Sequence, residues 1–348
     1  MALELAHRYE QISARAYEHP ADRAATSALQ AVPLLERVLT WITSMGHERL
    51  LRQLILGNAV RIDSEQVPEV WTWYVAAVRC LDLPDIPPLY VTNDAQVNAM
   101  TVGSNQPLVV VNASLLSSYQ PAEVQTVLAH EAGHVLSEHN RYMTALVMIR
   151  NLLGTAAGGG GAPGGRVISM PLRALYYALL EWRRAAELSC DRAAALVTGD
   201  PLRPCQVLMR VAGGTLPGMR LEAFLKQAAD YHDEEDLFAR RSRFWAEMRS
   251  DHPFPVRRVR ELTAWVQGGD FDRIRGGAYP RRGHEPPPSA ELRSAVEHYG
   301  ERFSQFLERA SGDVDRVGRQ LGDWLRRQTG GPGSVDVDSD VDPFGAED

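Results

Sequence analysis

Cysteine is scarce. Cys80, Cys190 and Cys205 are the only three in 348 residues, too few and too scattered for a disulfide-stapled secreted fold or a cysteine-rich zinc module. A chain this long can bury a core without such staples, so a reducing compartment is the expectation. Lysine is scarcer still. Of 37 basic residues only Lys226 is a lysine, and the arginine excess reads as coding bias rather than as a recognition surface. Long apolar runs are also missing. No uncharged apolar stretch reaches the ~18–20 residues of a membrane-spanning helix. No basic segment followed by an apolar core opens the chain, where charge begins at Glu4, so a secretory signal is not expected. Basic surplus is absent too, since 37 bases against 44 acids give a net charge of −7. Residues 331–348 carry six of those acids and no base, which leaves the body at −1. A near-neutral body argues against a nucleic-acid-binding surface. The expected location is cytoplasmic, with any membrane contact peripheral.

What is present is an ordinary globular balance, 45% hydrophobic and 23% charged, in a chain long enough for about two domains. Residues 1–60 read as an N-terminal helical region, with Leu34, Leu35, Val38, Leu39 and Ile42 and then Leu50, Leu51, Leu54 and Ile55 at helical spacing. A core over 61–268 follows. It holds a helix over Val70–Leu81, two β-branched strand candidates at Pro88–Thr92 and Leu108–Asn112, and a helix from Pro121 to about Tyr142. Leu172–Thr198 reads as a long helix stopped by Gly199-Asp200-Pro201. The expected fold is mostly α with a small β-sheet. Within the core, residues 143–180 form an insertion of two apolar stretches around the glycine-rich run 158–165. It fits a mobile flap over the site, a peripheral membrane hairpin, or two buried helices joined by a loop. Arg150 and Arg173 make full insertion into a bilayer costly, so a flap is the expectation. Residues 269–288 read as a linker, 289–329 as a C-terminal helical module, and 330–348 as an acidic disordered tail. Asp336, Asp338, Asp340, Asp342 and Glu347 follow a calcium-loop register, but Val341 stands where that loop needs glycine.

The chemistry lies in His130-Glu131-Ala132-Gly133-His134, inside the helix that starts at Pro121. Residues i and i+4 share one helix face, so both imidazoles can reach one metal, while Glu131 sits about 100° round the helix, close to a metal-bound water. With 10 His and 23 Glu in the chain, the pattern arises by chance about 0.02 times. A catalytic zinc takes three protein ligands and keeps one position open. On the second long helix, Glu187 and Asp191 are i and i+4, so one can bind the metal while the other orients an imidazole. Cys190 is a competing soft ligand, and spacing alone leaves the choice open.

Beyond these spacings, the sequence resembles the gluzincin peptidases that include the HtpX heat-shock protease and the type I CAAX prenyl protease. Asn98-Ala99, Val109-Val110-Val111 and Leu115-Leu116 precede the zinc helix; Glu187 stands four residues before Asp191 and Ala193 follows; His252-Pro253 is followed by Arg258-Val259. These ordered motifs span residues 90–262, about half the chain. The resemblance implies an α+β zincin-type fold and one Zn2+ per chain held by His130, His134 and Glu187, with Asp191 behind them. It implies Glu131 as general base and His252 at the substrate oxyanion. It also implies a substrate surface at Asn98, Ala99 and Arg258, with Asn98 and Ala99 on an edge strand that pairs with an extended peptide. Two departures stand out: the family's membrane members have hydrophobic spans that this chain lacks, and Cys190 stands where alanine is usual. The partner expected is a protein or peptide substrate, and oligomeric state is not legible. A peptide deformylase would need a cysteine ligand in an upstream glycine-containing strand, a context that Cys80 lacks. A catalytically silent zinc-fold adaptor acting through the C-terminal helices is the alternative. His139, nine residues after His130, is expected to face solvent, and Cys190 to be a small buried residue rather than a reactive thiol.

Overall fold

The computed structural model describes residues 7–44, 47–93, 98–158, 165–214, 216–231 and 253–285. Three helices come first: α1 (Pro20–Gln30), α2 (Pro33–Ser44) and α3 (His47–Gly57). Pro20 suits the first position of α1, and the His19 ring caps it by accepting the Ala21 N–H at 3.1 Å. Strand β1 (Ala59–Ile62) and helix α4 (Pro68–Cys80) follow. Strands β2 (Leu89–Thr92), β3 (Ala99–Val102) and β4 (Leu108–Asn112) complete a four-stranded sheet in the order β1-β2-β4-β3. Central β4 runs parallel to β2 and antiparallel to β3 and is buried along its whole length. That burial on both faces explains an unbroken Leu-Val-Val-Val run where a one-sided strand would alternate. β3 pairs only with β4, in the register Ala99 opposite Val111, and so forms an edge.

The remainder is helical: α5 (Ala113–Ser118), α6 (Pro121–Leu136), α7 (Asn140–Gly158), α8 (Gly165–Thr198), α9 (Leu202–Gly213), α10 (Leu221–Asp230), α11 (Pro255–Gln267) and α12 (Asp270–Arg275). The fold is thus mostly α with a small mixed sheet. One apolar core joins the sheet to α4, α6, the C-terminal half of α8, α9 and α11, with Tyr74, Val109, Leu128, Leu196 and Leu262 at its centre. A second is built from α1, α2, α7 and the middle of α8 around Leu29, Leu35, Leu146, Leu179 and Trp182.

Three expectations change. The helix from Pro121 does not run on to Tyr142. It stops at Leu136, Glu138 adopts a left-handed φ of 54°, and α7 restarts at Asn140. The turn closes with Ser137 N–H donating to Gly133 C=O and His139 N–H to His134 C=O, both at 3.0 Å. Next, the apolar stretches either side of the glycine run are core helices where their side chains are described. Met143, Leu146, Ile149, Leu172, Leu175 and Leu179 are buried in the second core, and Arg150 and Arg173 are exposed. Residues 159–164 of that run lie outside the described residues. Finally, much of the segment read as a linker is packed. Phe271 and Ile274 of α12 are buried, Arg281 bridges to Ile12, and Arg282 reaches the Ile12 and Asp82 carbonyls. His252, the 289–329 module and the 330–348 tail lie outside the described residues. Among the described residues no helix is long and apolar enough to cross a membrane.

Candidate metal centre

Helix α6 carries the His-Glu-Ala-Gly-His motif, and its start is fixed locally. Pro121 takes the first turn, and Gln120 and Glu123 form a capping box in which Gln120 N–H donates to Glu123 Oε2 at 2.7 Å. Arg210 of α9 then holds Glu123 at 2.8 Å. What sets the depth of the site is Gly133. A methyl group added there would stand 2.7 Å from the Ala193 Cβ of α8. Glycine on α6 opposite Ala193 on α8 lets the two helices pass at close range. The close crossing brings Glu187 and Asp191, one turn apart on α8, against the two histidines.

The donors converge. His130 Nε2 lies 3.4 Å from Glu187 Oε2, and His134 Nε2 lies 3.8 Å from Glu187 Oε1. The opposite ring nitrogens are engaged elsewhere, His130 Nδ1 with Asp191 Oδ1 at 3.3 Å and His134 Nδ1 with His139 Nδ1 at 3.0 Å. Two Nε2 atoms and a carboxylate therefore face one point. Tetrahedral ligands at ~2.0–2.1 Å from a zinc ion stand about 3.3 Å from one another, so this donor set and spacing fit zinc. Cys190 Sγ also groups with His130 and His134 within 4.8 Å. Its sulfur, however, lies 3.6 Å from His139 Nδ1, behind the His134 ring, and burial pushes the thiol well above its usual range and keeps it protonated.

Charge is organised around these groups. Arg258 of α11 makes a fork on Asp191, Nε to Oδ2 at 2.8 Å and Nη2 to Oδ1 at 2.7 Å, and its Nη1 stands 3.1 Å from Glu187 Oε2. Burial alone would raise the Asp191 carboxyl; the Arg258 and His130 contacts outweigh it and bring it below the usual range. Burial alone would lower His130, yet the Asp191 and Glu187 carboxylates raise it to about 9 without metal. His134, buried and beside the cationic His130, is pushed well below its usual value. Glu131 is raised by burial, with His130 and Thr101 pulling it back. Thr101 of β3 donates from Oγ1 to Glu131 Oε2 at 2.8 Å.

These groups line a cleft of 170 Å³. Asn98, Ala99 and Met100 at the β3 edge form one wall, and Tyr119, Val127 and Val207 give it an apolar side. Arg258 borders the cleft as well, but its three guanidinium nitrogens face α8 carboxylates. The structure thus brings His130, Glu131, His134, Glu187, Asp191, Asn98, Ala99 and Arg258 to one cleft. His252 lies outside the described residues, and Pro253 after it leads into α11.

Residues 68–266 match the family described as Peptidase family M48, over more than half of the chain. The chain belongs to peptidase family M48. Every residue of the cleft named above lies inside the matched segment. Among M48 relatives, it is 32% identical over 272 residues to the plastoglobule-localized metallopeptidase 48 of Arabidopsis thaliana, covering 76% of each chain. It is 27% identical to Protease HtpX homolog 2 of Methanosarcina mazei and 30% identical to Protease HtpX homolog 1 of Streptomyces coelicolor. Those two matches cover 44% of this chain and 58% and 56% of theirs, little more than half the relative's length. No solved structure matches the chain. As an M48 member with metallopeptidase relatives it is a peptidase of the metal-dependent class.

Four functional-site neighbours escaped the sequence reading: Thr101, His139, Asp22 and Ser189. His139 is the clearest reversal, because it is 2% exposed rather than facing solvent. Counting nine residues along one helix puts it off the metal face, but the helix ends at Leu136 and the left-handed Glu138 turns the next ring inward.

Proposed function

We propose that this chain is a zinc-dependent endopeptidase of protein substrates, with His130, His134 and Glu187 holding one Zn2+. The observation that carries the reading is the convergence of both Nε2 atoms and the Glu187 carboxylate, with Glu131 alongside. Zinc bound there supplies Lewis acidity and a water whose pKa falls to ~7. Glu131 accepts the proton of the attacking water on a carboxylate oxygen and returns it to the leaving amine. Its raised pKa suits both halves of that exchange, and Thr101 fixes its orientation. The β3 edge from Asn98 to Met100 offers backbone groups that pair with an extended peptide. His252 donates to the substrate oxyanion, as the family resemblance implies. We assign Arg258 to holding Asp191 and Glu187 in place, in preference to contacting substrate, because its nitrogens are taken up by those carboxylates. The chain acts in the cytoplasm on this reading, and any membrane contact, through residues 143–180, is peripheral.

Casein cleavage by the purified chain is the test. The wild type should cleave in the presence of zinc, and Glu131→Gln should retain the metal while losing at least 10³-fold in turnover, within the range for a general base. Turnover by Glu131→Gln within tenfold of wild type contradicts the mechanism. A zinc-loaded wild type that cleaves no protein favours the silent adaptor.

A further inference from the structure

Behind the metal-facing side of His134 runs a buried chain of hydrogen bonds that the peptidase mechanism above does not use. His134 Nδ1 lies 3.0 Å from His139 Nδ1, and His139 Nε2 lies 3.0 Å from Asp22 Oδ2. Ser189 Oγ donates to the same Asp22 oxygen at 2.6 Å, and Thr26 Oγ1 donates to Asp22 Oδ1 at 3.3 Å. All the links are inside the protein: Asp22 is 1% exposed and Ser189 fully buried. The His139 ring is fixed edge-on against Trp182 at 5.4 Å, and Trp182 Nε1 donates to Thr26 at 2.9 Å.

The proton positions in the loaded site follow from valence. A neutral imidazole that offers Nε2 to a metal carries its proton on Nδ1. His134 Nδ1–H then donates to His139 Nδ1, which must present a lone pair. His139 is thereby neutral with its proton on Nε2, and that N–H donates to the Asp22 carboxylate, an acceptor only. Cys190, with Sγ 3.6 Å from His139 Nδ1, shares that acceptor through a weak S–H contact.

We infer that His139 and Asp22 are positioning residues for the metal: they lock His134 in the metal-binding tautomer and relay the negative charge of Asp22 to its ring. A carboxylate behind a ligand imidazole raises its basicity and fixes its orientation, and losing such a partner typically costs 10–100-fold in metal affinity. Here the carboxylate comes from α1, which precedes the residues that match the M48 family. The N-terminal helical region is therefore part of the metal site rather than an appendage to it. The relay rests on the zinc reading of the previous section.

The test uses the full chain loaded with zinc. Zinc transfer to a chromophoric chelator should run 10–100-fold faster from Asp22→Asn and from His139→Gln than from wild type, and severalfold faster from Ser189→Ala. The melting temperature of each metal-free variant separates this from a packing defect. Unchanged zinc release together with a lowered metal-free melting temperature makes both residues merely structural and overturns the relay. Should these variants not fold, nitrogen NMR of the wild-type imidazoles decides the matter. A proton on His134 Nδ1 and a scalar coupling across the Nδ1–H···Nδ1 bond to His139 are expected, and a proton on His134 Nε2 or no such coupling overturns the proposal. A wild type that retains no zinc overturns the metallopeptidase reading itself, whereas zinc held by wild type and by the variants with equal tenacity overturns the relay alone.

Discussion

His130 and His134 stand one turn apart on the same helix, yet the protein supports them in opposite ways. On the front, His130 Nδ1 meets the Asp191 carboxylate directly, and Arg258 spans Asp191 and Glu187 behind it. On the back, His134 reaches its carboxylate through a second imidazole, and the negative end lies on another helix. The front is a network of formal charges facing a cleft; the back is a buried line of hydrogen bonds. Without metal, the front carboxylates raise His130 to about 9, while burial drives His134 far down. One imidazole is thus held by charge and the other by proton geometry. Ion pairing and tautomer locking are two ways of presenting the same Nε2 lone pair, and they should fail differently.

The largest break is expected at the front. Arg258→Gln removes the guanidinium shared by buried Asp191 and Glu187 and leaves them to His130 and, for Glu187, to Arg183 at 3.8 Å. Removing one partner of a buried ion pair costs about 3–5 kcal/mol. Denaturant unfolding should show that loss in full for the metal-free protein and less of it with zinc, whose charge replaces the guanidinium. Equal losses with and without zinc would mean that Arg258 acts through packing alone.

Gly133→Ala tests the seam that both sides share. The added methyl lies 2.7 Å from the Ala193 Cβ, so α6 and α8 must separate. Overpacking of this kind costs about 1–3 kcal/mol. Zinc affinity should fall as the histidines draw away from Glu187, and Gly133→Ala with Ala193→Gly should recover part of both. No recovery in the double variant would place the strain elsewhere.

The smallest effect separates back from front by pH. Glu18 lies close to Asp22, and burial, reinforced by that neighbour, raises its carboxyl to about 7. A carboxyl whose folded pKa is above its unfolded value costs stability as pH rises from about 4.5 through 7, and the cost is complete above 7. Glu18→Gln should therefore raise the melting temperature at pH 8 and leave it nearly unchanged at pH 4.5. A gain of equal size at both values would contradict the buried charge.

The sequence exposed the front far better than the back. His130, Glu131 and His134 are spaced by the helix itself and were legible from periodicity. Glu187 and Asp191 repeat that spacing on α8, but spacing did not separate Glu187 from Cys190, and only the family resemblance pointed to the carboxylate. Strands β2 and β4 were legible too, because each is a β-branched run between turn residues, whereas β1 at Ala59–Ile62 was not and begins within the stretch read as helical. The break after Leu136 was not, because Glu138 gives no sign of the left-handed backbone it adopts, where glycine or asparagine would have announced one. With the break unseen, His139 was counted onto the wrong face. Asp22 carries no spacing relation to a residue 117 positions away, and only the packing of α1 on α8 joins them. The role of Gly133 was not legible either, since the identity of its neighbour Ala193 matters only once the helices cross.

The account turns on which three residues hold the metal, and metal content after exhaustive dialysis reads this directly. Wild type and Cys190→Ala should each keep one zinc per chain, while Glu187→Ala should keep almost none. Zinc retained in full by Glu187→Ala and lost from Cys190→Ala would move the third ligand to the sulfur behind His134 and contradict both the site and the relay built on it.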